Sequence, residues 1–324
     1  MCTRVCTHND TESTSMLPKT NTESRVLYGS PQSGDPEQPK PSSPLQYEMQ
    51  GNLDTLEPSP EDKRLTGEKN VMAVLSAVWR FGWLSSRMIA ALVWPTASQS
   101  WPMARRTLKK MLADKLLLVR ALPQGGDVYL LSVKGARLLQ DATGLPAKGG
   151  QSLPTGNAIH RACGNWHLIA QVQAGLGIYT EHEIASGRAP VHAVNGKVFD
   201  GLVVHDGGLI TACEIENAWK NRSRRQAVVD VATRHLGRDT MTRLGNDPTG
   251  QELYLAKLAV VCTTVDALRS MASSFQESYR MRIATETCLA AVDVSVLSVS
   301  PGLVPSEPTT GNMWWDIIQP HTLS

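Results

Sequence analysis

The sequence predicts an α/β multidomain chain: a small helical module closed by a β-hairpin, then a mixed sheet with flanking helices. Three observations carry that expectation. Composition changes sharply near residue 64, helical-period blocks then lead into a glycine-turned hairpin, and beyond a Gly/Pro/Ser-rich break near residue 150 strand-like and helical stretches alternate. A chain of 324 residues with 41% hydrophobic content is long enough for two cores and a tail.

Residues 1–64 are read as a disordered acidic tail. They are rich in Ser, Thr, Pro, Gly, Glu and Gln, as in YGSPQSGDPEQPKPSSP, and hold too few apolar groups to offset the entropy of ordering. They carry 6 Lys+Arg against 10 Asp+Glu, whereas residues 65–324 carry 26 against 20. The part expected to fold is therefore basic, which permits a polyanionic partner without requiring one. Cys2, Cys6 and His8 lie close together, but a fourth ligand is lacking and the set sits at a frayed end, so a metal site there is not expected.

Residues 65–145 read as a winged helix-turn-helix. GEKNVMAVLSAVWRFGW places Val71, Val74, Leu75, Val78 and Trp79 on one helical side. LSSRMIAALVW begins with serines suited to capping and stops before Pro95. SWPMARRTLKKMLADK turns Ala104, Leu108, Met111 and Leu112 inward and Arg105, Arg106, Lys109 and Lys110 outward. LLLVRAL and DVYLLSV, joined by PQGG, make a hairpin, and KGARLLQDA returns to helical spacing. Three helices, a hairpin and a helix are the order of a DNA-binding module whose third helix and wing face duplex. The plainer alternative is a small helical domain with a solvated basic surface. Four cations crowded on one helix beside a wing favour DNA.

TGLPAKGGQSLPTG has linker punctuation, and residues 146–156 are taken as the linker, with a second domain over residues 157–324. A helix is expected from about Asn157 to Ala174, then strands in GIYTEHEI, KVFDGLVV and LITACEIE, then a basic helix in NAWKNRSRRQAVVDVATRHL. KLAVVCTT is a buried-type strand, VDALRSMASSFQESYRMRIA a helix, and ETCLAAVDVSVLSV the source of a last strand. Trp314 and Trp315 are expected to pack onto this domain as a flap.

ITACEIENAWK carries the chemistry. Glu214 and Glu216 are two apart, so in a strand they share a face and repel unless a cation intervenes. HDGG separates this strand from the one before. If Asp206, Gly207 and Gly208 form a three-residue loop with a left-handed glycine, His205 pairs with Leu209 and Asp200 falls opposite Glu214; a two-residue loop throws Asp200 to the other face. Three carboxylates, Asp200, Glu214 and Glu216, then suit a hard cation, Mg²⁺ or Mn²⁺. Such an ion activates water or stabilises charge in phosphodiester cleavage, with Lys220 as a nearby point charge and Arg222, Arg224 and Arg225 on phosphates. The alternatives are a strand-end Asp200 bonded to its turn, and glutamates paired with the arginines of the next helix.

The order helix, three strands, helix, strand, with FDG on one strand and EIE on the next, resembles the PD-(D/E)xK restriction-endonuclease-like fold. With a winged helix in front and E-x-E-x-x-x-K in place of E-x-K, the chain is similar to the plasmid replication-relaxation family, which includes mobilisation-protein-C type relaxases. The likeness covers residues 66–290 in architecture. In motif it rests on Asp200, Glu214, Glu216 and Lys220, with His160 on the first helix and Glu181 in the first strand matched more loosely as accessory residues. It implies a divalent-metal-dependent DNA endonuclease that nicks at a transfer or replication origin. Its partners would be duplex DNA, other relaxosome proteins or a coupling ATPase, with a homodimer as one assembly. Residue 199 is Phe where the pattern often has Pro, and residue 216 is Glu where it has Lys, so Lys220 must reach back from the helix. A competing reading is a non-catalytic regulator of plasmid replication or transcription that keeps a degenerate nuclease-like domain.

His160 and His167, seven apart, are more commonly packed than catalytic. Trp166 and Trp219 are expected in the core, and Tyr179 and Tyr254 have nothing local to support a nucleophile's role. No phosphate-binding Gly loop, G-x-S-x-G elbow or zinc signature is present in the sequence. Six scattered cysteines suit free thiols in a reducing compartment, and no apolar run reaches membrane-spanning length, so a cytoplasmic protein is expected.

Overall fold

Helix α1 (Pro60–Phe81) opens the computed structural model, which describes residues 60–123, 125–150, 158–217, 222–300 and 302–306. It buries Val74, Leu75, Val78 and Phe81, with Val71 and Trp79 half-buried at the margin of the stripe. After the short strand β1 (Leu84–Ser85), α2 (Ser86–Val93) starts where the Ser85 hydroxyl accepts the Met88 N–H. Helix α3 (Ser100–Ala113) buries Ala104, Leu108 and Met111. Strands β2 (Leu117–Ala121) and β3 (Asp127–Leu131) form the antiparallel ribbon, and β1 adds to it in the order β1-β3-β2. Helix α4 (Val133–Thr143) begins with Gly135 N–H donating to the Ser132 hydroxyl (2.9 Å) and ends at left-handed Gly144.

The larger sheet is mixed. Helix α5 (Ala158–Gln173) precedes β4 (Gly177–Thr180), the short helix α6 (Glu181–Ala185), β5 (Gly201–Val204) and β6 (Leu209–Glu216). Helix α7 (Arg222–His235), β7 (Thr242–Asn246), β8 (Glu252–Cys262), α8 (Val265–Arg280), α9 (Glu286–Ala290) and β9 (Val292–Val296) follow. A small hairpin, β10 (Val299–Ser300) with β11 (Val304–Pro305), ends the described chain. The strand order is β4-β5-β6-β8-β7. Strand β5 is antiparallel to both β4 and β6, and β8 runs parallel to β6 and β9 parallel to β8. Beyond β6, the N-terminal half of β8 pairs with β7 and its C-terminal half with β9, which is why one long strand has three neighbours.

Alternation along β5 and β6 sets two faces. Val203 and Cys213 pack with Leu168 and Ile169 of α5. Leu202, Ile210 and Ala212 pack with Val228, Val229 and Ala232 of α7 and with Leu268, Met271 and Phe275 of α8. The even-numbered positions, and with them Asp200, Glu214 and Glu216, therefore belong to the α7 and α8 side.

The helical module and the sheet are joined by buried polar groups as well as by apolar packing. Thr180 caps α6 by accepting the Glu183 N–H (3.1 Å), Glu183 Oε2 accepts the Thr180 N–H (2.8 Å), and the Thr180 hydroxyl donates to the Arg80 carbonyl. The Arg80 guanidinium reaches Glu183 Oε1 (2.9 Å) and the Ile178 carbonyl (2.6 Å). This box corrects one expectation: EHEI is not strand, and Glu181 is the first residue of α6. KVFDGLVV also shortens, since only Gly201–Val204 pair as strand, and TRLGN forms a strand that its weak apolar alternation did not announce.

Cys163, Cys213, Cys262 and Cys288 are free thiols, as expected. No helix among the described residues is long and apolar enough to cross a membrane. Most of the tail, including Cys2, Cys6 and His8, residues 151–157 of the linker, Trp219, Lys220, and Trp314 and Trp315 lie outside the described residues.

Candidate functional site

The site is built by two tight turns. The first is Asp206–Gly207–Gly208, where φ is +72° at Gly207 and +76° at Gly208. The His205 N–H donates to the Leu209 carbonyl (2.8 Å), and the ladder runs Val204 with Ile210, Leu202 with Ala212 and Gly201 with Cys213. One residue further, Asp200 faces Glu214, as the three-residue loop requires. There the ladder ends: the Asp200 N–H donates to the Cys213 carbonyl (2.9 Å), and Asp200 Oδ2 accepts the Ile215 N–H (2.7 Å) in place of a backbone oxygen.

The second turn is Val194–Asn195–Gly196–Lys197. Val194 and Lys197 exchange both backbone hydrogen bonds at 2.9 Å, with φ +49° at Asn195 and +76° at Gly196, the geometry that favours Asn-Gly. It delivers a residue that the sequence reading missed. Lys197 Nζ lies 2.8 Å from Glu214 Oε2; the glutamate side chain is 3% exposed and the lysine 18%. A carboxylate buried that deeply needs a cation or a proton, and this ammonium supplies the cation. The Asn195-Gly196 dipeptide, which ends four residues before Asp200, was the available signal.

His160, on α5, sets its Nε2 3.0 Å from the Ile215 carbonyl and 3.5 Å from Asp200 Oδ2. A carbonyl only accepts, so Nε2 carries the proton. His160, Lys197, Asp200 and Glu214 line one open cavity of about 570 Å³, with Asn195, Arg224 and Asp230 on its wall. Glu216 is 1% exposed and does not line it; its backbone carbonyl accepts the Thr263 N–H (2.7 Å) where β6 and β8 end. Glu181 lies 3.7 Å from the Arg161 guanidinium and outside this wall. Burial lowers the pKa of that guanidinium, while Glu181 and Asp200 raise it. Among the described residues no three His, Cys, Asp or Glu side chains gather closely enough to hold a metal ion. Asp200 and Glu214, oxygen donors from adjoining strands on one solvent-open cavity, fit a hard ion that keeps several waters. They could hold such an ion, although Glu214 Oε2 already lies 2.8 Å from the Lys197 ammonium.

Arg105, Arg106, Lys109 and Lys110 are all exposed on α3. Arg87 of α2 lies 3.6 Å from the centroid of the Trp101 ring and Arg105 lies 5.1 Å from it, and the indole N–H of Trp101 donates to the Ser86 hydroxyl. Among the described residues none of these five cations has a carboxylate partner, whereas Arg80, Arg222, Arg243 and Arg269 are each paired with an acid. Arg222 is held 2.6 Å from Glu277, and Arg225 is half-buried while Arg222 and Arg224 are exposed. The other candidates lie away from the cavity. Burial lowers the His167 pKa and raises the Tyr179 pKa, Tyr254 donates its hydroxyl to Glu252, and the Trp166 indole donates to the Leu303 carbonyl.

No protein-family model, curated protein or solved structure matches this chain.

Proposed function

We propose that the chain is a DNA-binding protein of plasmid mobilisation or replication that nicks one strand with the help of Mg²⁺ or Mn²⁺. The observation that carries the proposal is the meeting of Asp200, Glu214 and Lys197 on one open cavity. A basic helix whose cations have no acidic partners among the described residues supports the DNA-binding half of the reading. In this reading the region from α1 to α4 is a winged helix, α3 lies against duplex, and the sheet from β4 to β9 is a PD-(D/E)xK-like nuclease domain.

In hydrolysis a water oxygen forms a new bond to phosphorus, one ester P–O bond breaks, the leaving oxygen takes a proton, and the attacking water gives one up. Asp200 and Glu214 would hold the ion, which would supply Lewis-acid stabilisation of the phosphate charge. The chain's own groups orient the rest. Asp200 is fixed by the Ile215 N–H, the His160 N–H stands beside it, and Arg224 offers charge to an approaching phosphate.

A second reading has its own observation. Glu214 already has an ammonium partner and Glu216 is withdrawn from the cavity, an arrangement also suited to a non-catalytic regulator that binds DNA through α3 alone. Incubating supercoiled plasmid bearing the cognate origin with protein and Mn²⁺ or Mg²⁺ separates the two. Conversion to open circle that chelator abolishes, and that falls on the order of 100-fold or more in Asp200→Asn, supports nicking. Intact supercoil with a retained gel shift supports the regulator.

A further inference from the structure

We infer that Lys197 is the phosphate-contacting cation of this cavity: the ammonium that neutralises Glu214 is the group a DNA phosphate meets when the backbone enters. This deepens the nuclease reading and rests on its placement of DNA against the sheet. The sequence had assigned that charge to Lys220.

The Asn195–Gly196 turn is closed by two 2.9 Å hydrogen bonds, so the backbone that presents Lys197 is set independently of any ligand. Its side chain lines the cavity, and of the pair it is the more open, 18% exposed against 3% for Glu214. Three N–H donors on one ammonium allow it to keep Glu214 Oε2 and still direct another N–H at a phosphate oxygen. Its four-carbon stem shifts that charge by a few ångströms without moving the turn. A volume of about 570 Å³ falls in the range of sites that enclose small organic ligands, so a sugar-phosphate unit has room to enter. Arg224 lies on the same wall and gives a phosphate a second positive neighbour. Asp200 and Asp230, also on the wall, repel an anion. A phosphate that meets Lys197 and Arg224 also lies beside Glu214, 2.8 Å from Lys197 Nζ, so in the nuclease reading the ion that Asp200 and Glu214 would hold offsets the repulsion of the carboxylates.

The test is the salt dependence of binding to a fluorescent duplex carrying the origin, followed by anisotropy. Lys197→Met alone removes a cation 2.8 Å from buried Glu214 and so changes stability as well as phosphate contact; the comparison is therefore Glu214→Gln against Glu214→Gln/Lys197→Met, each checked by circular dichroism. A phosphate contact predicts that the double variant's slope of log K on log salt is smaller by about one unit, with Glu214→Gln/Lys197→Arg retaining it. An equal slope in all three overturns the inference, leaving Lys197 as the counter-ion of Glu214 alone. Plasmid nicking by wild type, run in parallel, reports on the nuclease reading separately. A slope reduced by one without nicking sinks cleavage and keeps the phosphate contact, and nicking with an unchanged slope does the reverse.

Discussion

Gly208 belongs to the turn that brings Asp200 opposite Glu214. Its φ is +76°, and a Cβ built there would lie 2.1 Å from the Glu252 carbonyl oxygen, whereas one on Gly207, at φ +72°, would meet nothing within 4 Å. Gly207→Ala therefore has only the left-handed backbone penalty to bear, about 1 kcal/mol. Gly208→Ala adds a clash with backbone that cannot yield cheaply, and is expected to cost at least about 2–3 kcal/mol. Urea midpoints of the two variants check this, and equal losses would mean that the turn relaxes without resistance. The facing of Asp200 and Glu214 was legible because HDGG leaves few loop lengths and each fixes a register. Lys197 was not read, although Asn-Gly marks its turn, because a turn signal does not say which buried charge the following residue will meet. The withdrawal of Glu216 was likewise invisible, since alternation fixes a face but not how deeply the neighbouring strand end covers it.

At the scale of elements, apolar period and caps made α1 to α4 readable, and the buried stripes Val74, Leu75, Val78 and Ala104, Leu108, Met111 follow the helical spacing of the sequence. The stretch after β4 was misread as strand even though Thr180 and Glu183 stand at capping-box spacing, because a five-residue helix is too short to show a period. Strand β7 escaped because its Thr-Arg-Leu-Gly-Asn run is mostly polar and only half-buried. In the proposed DNA-binding reading, α3 is the element that decides affinity. Arg106 and Lys109 are exposed there, and among the described residues neither has an acidic partner, so both charges are available to phosphates. Arg106→Ala/Lys109→Ala is expected to lower the salt slope of duplex binding by about two units. Arg222→Ala, whose guanidinium is already held by Glu277, should change it less. A fluorescence titration across salt concentrations measures both, and equal effects would move the DNA path from α3 towards α7.

Across the whole molecule, the joint between the helical module and the sheet is where acid should act. His182, on α6, packs so closely under Gly82 that a Cβ on that glycine would lie 2.8 Å from its ring. Burial, and then the charges of Arg161 and Arg188, push its pKa down to about 4 from an ordinary 6.5. Glu183, one residue along, faces Arg80, and Glu181 faces Arg161, so the nearby carboxylates already have cations of their own. The folded protein thus holds His182 neutral where the unfolded chain would bind a proton. Because the folded pKa is the lower one, this residue costs no stability above about pH 6.5. As pH falls from there towards about 4, the unfolded state gains protons that the folded state refuses, and stability declines across that window. His182→Gln keeps a polar side chain of similar reach and removes the titration. Urea midpoints of wild type should drop between pH 7 and pH 5 by more than those of His182→Gln. Parallel curves would show that the imidazole is accommodated as imidazolium, and that the arginines beside it yield before the fold does.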